Sequence, residues 1–493
     1  MNLAIHYPIL QVAVPLLAAP LCIILKRSSV CWALAGLVTI VTLFLAGSLL
    51  SQTLAQGVIS YAIGGWAPPW GIEYRVDTLD AFVLVIIAAM GTIVMLYARR
   101  SVDQEIDTEK HYLFYTAYLL CLTGLLGIAI TGDAFNLFVF LEISSLSTYA
   151  LVSMGKDRRA LTASYQYLIM GTLGATFYLI GVGLLYMVTG TLNMADLAKH
   201  LPALFDSRTV RTALAFLTVG ISLKLALFPL HLWLPNVYTY APSVVTAFLS
   251  GTATKVAVYI LIRVLFTLFG VDFSLGAMPL DIVLLILSLI AIVSASTVAI
   301  FQDDVKRMLA YSSVAQIGYI VLGLSLVSET GLVAALVHLF NHALMKGALF
   351  LALGCVFYRI GSVEIKQLAG LGKRMPWTMA AVVGGGLSLI GVPLTAGFVS
   401  KWYLVVGALE RELWLVAATV LVGSLLAVIY IWRLVEVAYF KPRTENGPVT
   451  EAPASLLIPT WILIVANFYF GVCTDLTAGV ARRAAMQLMG VAQ

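Results

Sequence analysis

The chain has 493 residues, 61% of them hydrophobic and only 11% charged, under half the roughly 25% charged fraction of an ordinary soluble domain. That composition excludes a soluble enzyme and leaves a polytopic protein of the lipid bilayer. The net charge of +5 is scattered through short loops, so it sets topology and builds no nucleic-acid surface.

Apolar runs of about 20 residues, each the length of one membrane crossing, predict fourteen transmembrane helices. They lie near residues 4–25, 31–50, 78–98, 112–130, 133–153, 162–189, 210–230, 243–267, 279–301, 308–327, 330–358, 377–400, 413–437 and 455–477. The first has no basic flank before it and Lys26-Arg27 after it, the reverse of a secretory signal, and reads as a retained helix. Cys22, Cys31, Cys121, Cys355 and Cys473 form no CxxC pair and read as small buried apolar residues. P-loop, dinucleotide, zinc and nucleophile-elbow motifs are absent from the sequence, so ion translocation is expected with no catalytic chemistry, metal or cofactor in this chain.

Loops after odd-numbered spans hold sixteen Lys and Arg, from Lys26 and Arg27 to Lys441 and Arg443, against seven in the loops after even-numbered spans and the C-terminal tail. The excess predicts that the odd loops are cytoplasmic and that both termini lie outside a prokaryotic plasma membrane.

Along the chain, ionisable residues recur inside the spans, where each is costly and therefore points to function. The fifth span carries Glu142 in FVFLEISSL, and the seventh carries Lys224 five residues before Pro229. An ion pair between them is the natural expectation, because a nearby ammonium keeps a buried carboxylate ionised. His231 follows in FPLHLW as an accessory link to cytoplasmic water. Lys255 sits in the eighth span beside Thr252 and Thr254. In the eleventh, His338, His342 and Lys346 are spaced by four and share one helical stripe. Lys401 closes the row eight residues after Pro393, and Arg433 with Glu436 reads as an intrahelical pair in the thirteenth span.

The seventh and twelfth spans are interrupted, the first by prolines at 229, 235 and 242, the second by three successive glycines and Pro393. Both are expected to break inside the membrane. Pro229 and Pro393 are 164 residues apart, and that offset carries the start of the fourth span close to that of the ninth. Spans 4–8 and 9–13 therefore read as two five-helix repeats, inverted because five is odd, and paired broken helices mark an ion site. The expected units are residues 1–110, 111–275, 276–440 and 441–493.

These segments resemble a known family. FVFLEISSLSTYALV, SLKLALFPLHLWLPNVYTYAPSVVTAFLSGTATKVAVY, FQDDVKRMLAYSSVAQIGY, LFNHALMKGALFL and GVPLTAGFVSKW are similar to the antiporter-like subunits shared by Mrp-type monovalent cation/proton antiporters, complex I and membrane-bound hydrogenases. The resemblance covers nearly the whole chain. It implies a proton-conducting subunit with Glu142 and Lys224 as coupling pair, Lys255 and the His338/His342/Lys346 stripe as central relay, and Lys401 as terminal exchange site. It also implies partner membrane subunits, with protons and sodium as transported ions. Within the family the D-type Mrp subunit fits best. The alternative is an N- or M-type subunit of NADH:quinone oxidoreductase or a hydrogenase, the M-type being disfavoured by lysine at 401.

Overall fold

The computed structural model describes residues 3–442 and 449–490; Arg443, one of the loop cations, lies outside them. Among the described residues, twelve helices are long and apolar enough to cross a membrane. The two predicted spans outside that set are the interrupted ones. The seventh consists of Arg208–Leu225 and Trp233–Tyr240, and the twelfth of Pro376–Ile390 and Ala396–Glu410. With both broken helices the described residues hold fourteen spans.

Local backbone chemistry explains the breaks. The first half of the seventh span ends on Ala226 in the left-handed region at φ 58°, and Pro229 follows without an N–H to continue the ladder. The twelfth ends its first half on Gly391 at φ 90°, with Leu394 at φ 71° beyond Pro393. The three glycines lie elsewhere, inside the first half-helix. A Cβ on Gly385 would stand 2.8 Å from the Leu349 side chain, and one on Gly386 2.8 Å from Ile431. They let the eleventh and thirteenth spans approach closely. The eighth span is also broken, between Ser243–Gly251 and Ala253–Ile262 at Thr252 (φ −127°, ψ −62°), before a π-helical turn over Arg263–Leu268.

The two five-helix units share more than their breaks. Asp133 pairs with Asn193 in an isolated antiparallel bridge, and Asp304 with Glu364 in another. The offset is 171 in both strands of the bridge (304 − 133 and 364 − 193). Each aspartate also caps the helix that follows, Asp133 accepting from Asn136 N at 2.7 Å and Asp304 from Arg307 N at 2.9 Å. In the first unit the bridge ties the loops flanking the fifth and sixth spans; in the second it ties those flanking the tenth and eleventh. Five helices separate the bridges, so they lie on opposite membrane faces.

Two further elements go beyond the predicted spans. A hairpin of β1 (Ile59–Ala62) and β2 (Glu73–Val76), with Ile59 opposite Val76, joins the second and third spans. A helix over Asp475–Leu488 follows the fourteenth span, Ala454–Val472. The eighth and tenth spans are almost wholly enclosed, whereas the peripheral ones turn residues such as Phe44, Leu161, Ile286 and Leu425 outward to lipid.

Candidate functional site

Glu142 lies on the fifth span, Ala134–Ser153, and Lys224 in the last turn of the first half of the seventh. Their charged atoms are 4.0 Å apart, too long for a hydrogen bond. The Lys224 ammonium instead donates to Ser145 Oγ at 2.7 Å, and the buried Glu142 Oε1 has no hydrogen-bond partner. A cavity of about 30 Å³, room for a water, is lined by Lys224, Ser145, Thr148, Tyr167 and residues of the eighth span. The negative end of the half-helix dipole favours a cation at Lys224.

Lys255 begins the second half of the eighth span and is 1% exposed. Its Nζ donates to the carbonyl of Ser250, at the end of the preceding half-helix, and lies 3.4 Å from Thr254 Oγ1. Thr252 is occupied otherwise, donating to Phe248 O at 2.7 Å. On the eleventh span, Glu329–Ile360, Lys346 donates to Leu309 O and to Ser312 Oγ, each at 2.8 Å. Ser312 Oγ lies 3.1 Å from Tyr430 Oη. His338 bridges two other spans, Nδ1 at 2.7 Å from Ser400 Oγ and Nε2 at 2.9 Å from Gln316 Oε1. His342 stands between them with both ring nitrogens buried and unpartnered, its ring 6.2 Å from that of His338. Orphan nitrogens at that depth call for water.

Lys401 does not snorkel to the surface. It is 6% exposed and donates to Leu389 O at 3.0 Å, Ile390 O at 2.9 Å and Ser424 Oγ at 3.0 Å, over the Tyr319 ring. It thus caps the carbonyls that the break of the twelfth span leaves free.

His231 lies in the break of the seventh span, buried, with Nδ1 unpartnered and its ring stacked 5.3 Å from Phe228. Arg433 and Glu436 do not pair. Arg433 reaches Asp303 at 2.6 Å and the carbonyls of Ile300 and Gln302, while Glu436 meets Lys441 at 3.5 Å. The guanidinium is drawn off its own helix because the carbonyl end of the ninth span offers acceptors. Of the cysteines, four are buried and Cys473 is exposed.

Sequence reasoning missed two charged groups. Lys306, counted as a loop charge, is 4% exposed in the first turn of the tenth span and lines a cavity of about 260 Å³ with Glu105, Lys156 and Tyr240. Arg263, passed over inside the eighth span, is buried against Asp77 and Asp80 at the start of the third. An arginine within LIRVLF and the DxxD spacing at 77 and 80 were the available signals.

Residues 131–427 match the family model described as NADH:quinone oxidoreductase/Mrp antiporter, transmembrane. The N-type subunit of the NADH-quinone oxidoreductase of Desulforudis audaxviator is 43% identical, over 95% of this chain and 96% of that protein. The D-type subunit of the Na(+)/H(+) antiporter of Alkalihalophilus pseudofirmus is 28% identical, over 95% of this chain and 94% of that protein. A chain in the structure of the Mrp complex from Dietzia superposes with a TM-score of 0.90 at 27% identity, covering 99% of this chain and 98% of that one. The chain therefore belongs to the NADH:quinone oxidoreductase/Mrp antiporter family of multi-pass membrane proteins.

Proposed function

We propose that this chain conducts protons along a mid-membrane row built from Glu142, Lys224, Lys255, the His338/His342/Lys346 stripe and Lys401, within a multi-subunit antiporter that exchanges them for sodium or another monovalent cation. One observation carries the reading: every lysine in the row has a hydroxyl partner. Ser145, Thr254, Ser312 and Ser424 stand at 2.7, 3.4, 2.8 and 3.0 Å from the respective ammonium groups. A hydroxyl accepts from an ammonium and, by rotating, donates to a neutral amine. Each lysine therefore keeps a hydroxyl partner before and after losing a proton, which a carbonyl cage alone would not allow. Of the four lysines, Lys224 alone faces a carboxylate, Glu142 at 4.0 Å.

His231, in the break of the seventh span, serves as the accessory link to cytoplasmic water. Both termini lie outside a prokaryotic plasma membrane, as the sixteen-to-seven cation asymmetry supports. The working units are 1–110, the repeats 111–275 and 276–440, and 441–493. The test is Glu142→Gln in the whole complex: proton antiport lost, with assembly unchanged. Full antiport in that variant sinks the reading.

A second reading is favoured by the 43% identity to an N-type oxidoreductase subunit: the same proton machinery powered by electron transfer in partner proteins. Composition of the purified complex separates the two, since iron–sulfur and flavin partners support the redox-driven form and small membrane partners alone support the antiporter.

A further inference from the structure

A second polar centre lies apart from the lysine row, at the face opposite the lysine-rich loops. Asp77 caps the third span, Thr78–Glu105, accepting from Leu79 N at 2.9 Å and Asp80 N at 3.1 Å, and Asp80 Oδ2 accepts in return from Asp77 N at 2.9 Å. Such a capping box is complete without further partners. Here both carboxylates are also drawn inward by the eighth span. Arg263 Nη2 contacts Asp77 Oδ1 at 2.5 Å and Asp80 Oδ1, and the Tyr259 hydroxyl donates to Asp80 Oδ1 at 2.6 Å. Asp80 is 4% exposed and Arg263 5%. Two carboxylates against one guanidinium leave one uncompensated negative charge in a buried site, which a single proton neutralises.

Two further observations give that proton a route. Lys255, Tyr259 and Arg263 are spaced by four along the eighth span, so they form one stripe, each residue about 6 Å from the next along the axis. A cavity of about 610 Å³ is lined by Asp77, Asp80, Tyr259 and Arg263, and the exposed Arg75 and Lys199 stand in the same wall. The stripe thus places Tyr259 one turn from the enclosed Lys255, whose ammonium rests on Ser250 O in the turn before, and the cavity places Tyr259 and Asp80 beside surface water.

We propose that Asp80 is a proton-exchange group of the cavity, linked to Lys255 through the Tyr259 hydroxyl. The proton leaving Lys255 Nζ passes, over water in the intervening turn, to the Tyr259 oxygen as that hydroxyl gives its own proton to the Asp80 carboxylate. Asp80 then releases a proton to cavity water, and the carboxylate returns to its bonds with Arg263. Asp77 remains with Arg263 and the helix cap as a positioning residue. The proposal rests on the proton-conducting reading above.

The competing account is a static clamp between the third and eighth spans. Tyr259→Phe separates them, because it keeps the ring and the Arg263 ion pairs and removes the relay oxygen with its bonds to Asp80 Oδ1 and Arg263 Nε; a clamp weakened in that way lowers the yield of complex and leaves transport per assembled complex unchanged. Whole complexes carrying Tyr259→Phe, Asp80→Asn or Glu142→Gln are compared in inside-out vesicles, with dye-reported proton transport normalised to assembled complex on native gels. The expected result is a fall of about tenfold or more in transport per assembled complex for Tyr259→Phe and for Asp80→Asn, the scale of losing one positioned proton carrier. A clamp alone predicts wild-type transport by Tyr259→Phe and a lower yield of Asp80→Asn complex. Should Asp80→Asn fail to assemble, Tyr259→Phe decides. Wild-type transport in that variant overturns the proposal; if Glu142→Gln is inactive alongside it, the exchange site alone falls, and if Glu142→Gln is active too, the underlying reading falls as well.

Discussion

Replacing Lys401 by Arg separates a proton carrier from a fixed cap. The ammonium makes three bonds, to Leu389 O, Ile390 O and Ser424 Oγ, worth about 1.5–3 kcal/mol each for a charged donor. Against them stands an insertion cost of roughly 2.5–3.5 kcal/mol for a cation at the centre of a membrane helix. The three bonds thus offset the insertion cost, and arginine, with five donors, serves the same acceptors. Stability of Lys401→Arg is therefore expected within about 1 kcal/mol of wild type, the ordinary worth of one hydrogen bond gained or lost. Proton release is another matter. An arginine guanidinium holds its proton roughly a thousandfold more tightly than a lysine ammonium, so release slows by about that factor at a site that treats both cations alike. The assay is proton transport per assembled complex in inside-out vesicles, with thermal denaturation of the purified complex alongside. Transport above about a tenth of the wild-type rate in a stable Arg variant would refute proton exchange at Lys401, since that is a hundredfold above the expected remnant. Lys401→Ala should be equally inactive, its lost cap partly offset by the absent buried charge.

Gly391→Ala places a side chain at φ 90° and a Cβ 3.0 Å from Lys401 Cδ; a cost of about 1–3 kcal/mol, read as a lower melting temperature, should accompany reduced transport. A Cβ on Gly220 would stand 2.6 Å from Gly174 O, so Gly220→Ala must push the sixth and seventh spans apart at about 1–3 kcal/mol. Unchanged thermal stability in Gly220→Ala would refute the close approach.

The fold was legible wherever hydrophobic length decides it. Fourteen crossings follow from run lengths, and the broken seventh and twelfth spans follow from Pro229 and Pro393, because a missing N–H is a local property of one residue. The break in the eighth span was not legible. It contains no proline, and the kink at Thr252 in GTAT is accompanied by Lys255 capping the free Ser250 carbonyl, a local side-chain-to-backbone bond that run length and periodicity do not reveal. The glycines at 384–386 misled for a related reason: their small size serves packing against Leu349 and Ile431, and periodicity cannot tell a loosened helix from a crowded one. Among candidate site residues, the charged members were visible as exceptions in apolar runs. Their partners Ser145, Ser312, Gln316, Ser400 and Ser424 were not, since serine and glutamine draw no notice until the fold brings them to a lysine or to His338.

The contrast between the two kinds of buried cation bears on how the row could work. Arg263 is held by two carboxylates in direct contact, and an ion pair of that geometry fixes its charge. None of the four lysines is held that way. Lys255, Lys346 and Lys401 meet carbonyls and hydroxyls, and Lys224 faces Glu142 at 4.0 Å with a serine taking its hydrogen bond. A Coulomb interaction at that distance changes with separation in a medium of low effective dielectric, so a rotation of the Glu142 side chain changes the proton affinity of Lys224 while Ser145, on the same helix, keeps its hydrogen bond. Carbonyl caps at the breaks add a second lever. An ammonium at Lys401 has three N–H groups for three acceptors, while the neutral amine has two and must take its third bond from the Ser424 hydroxyl. Loss of the proton thus turns that hydroxyl and leaves both carbonyls at the end of the half-helix with neutral, weaker donors. Proton state and helix geometry are then linked at the same atoms, which is what a switch between two arrangements of a broken helix requires.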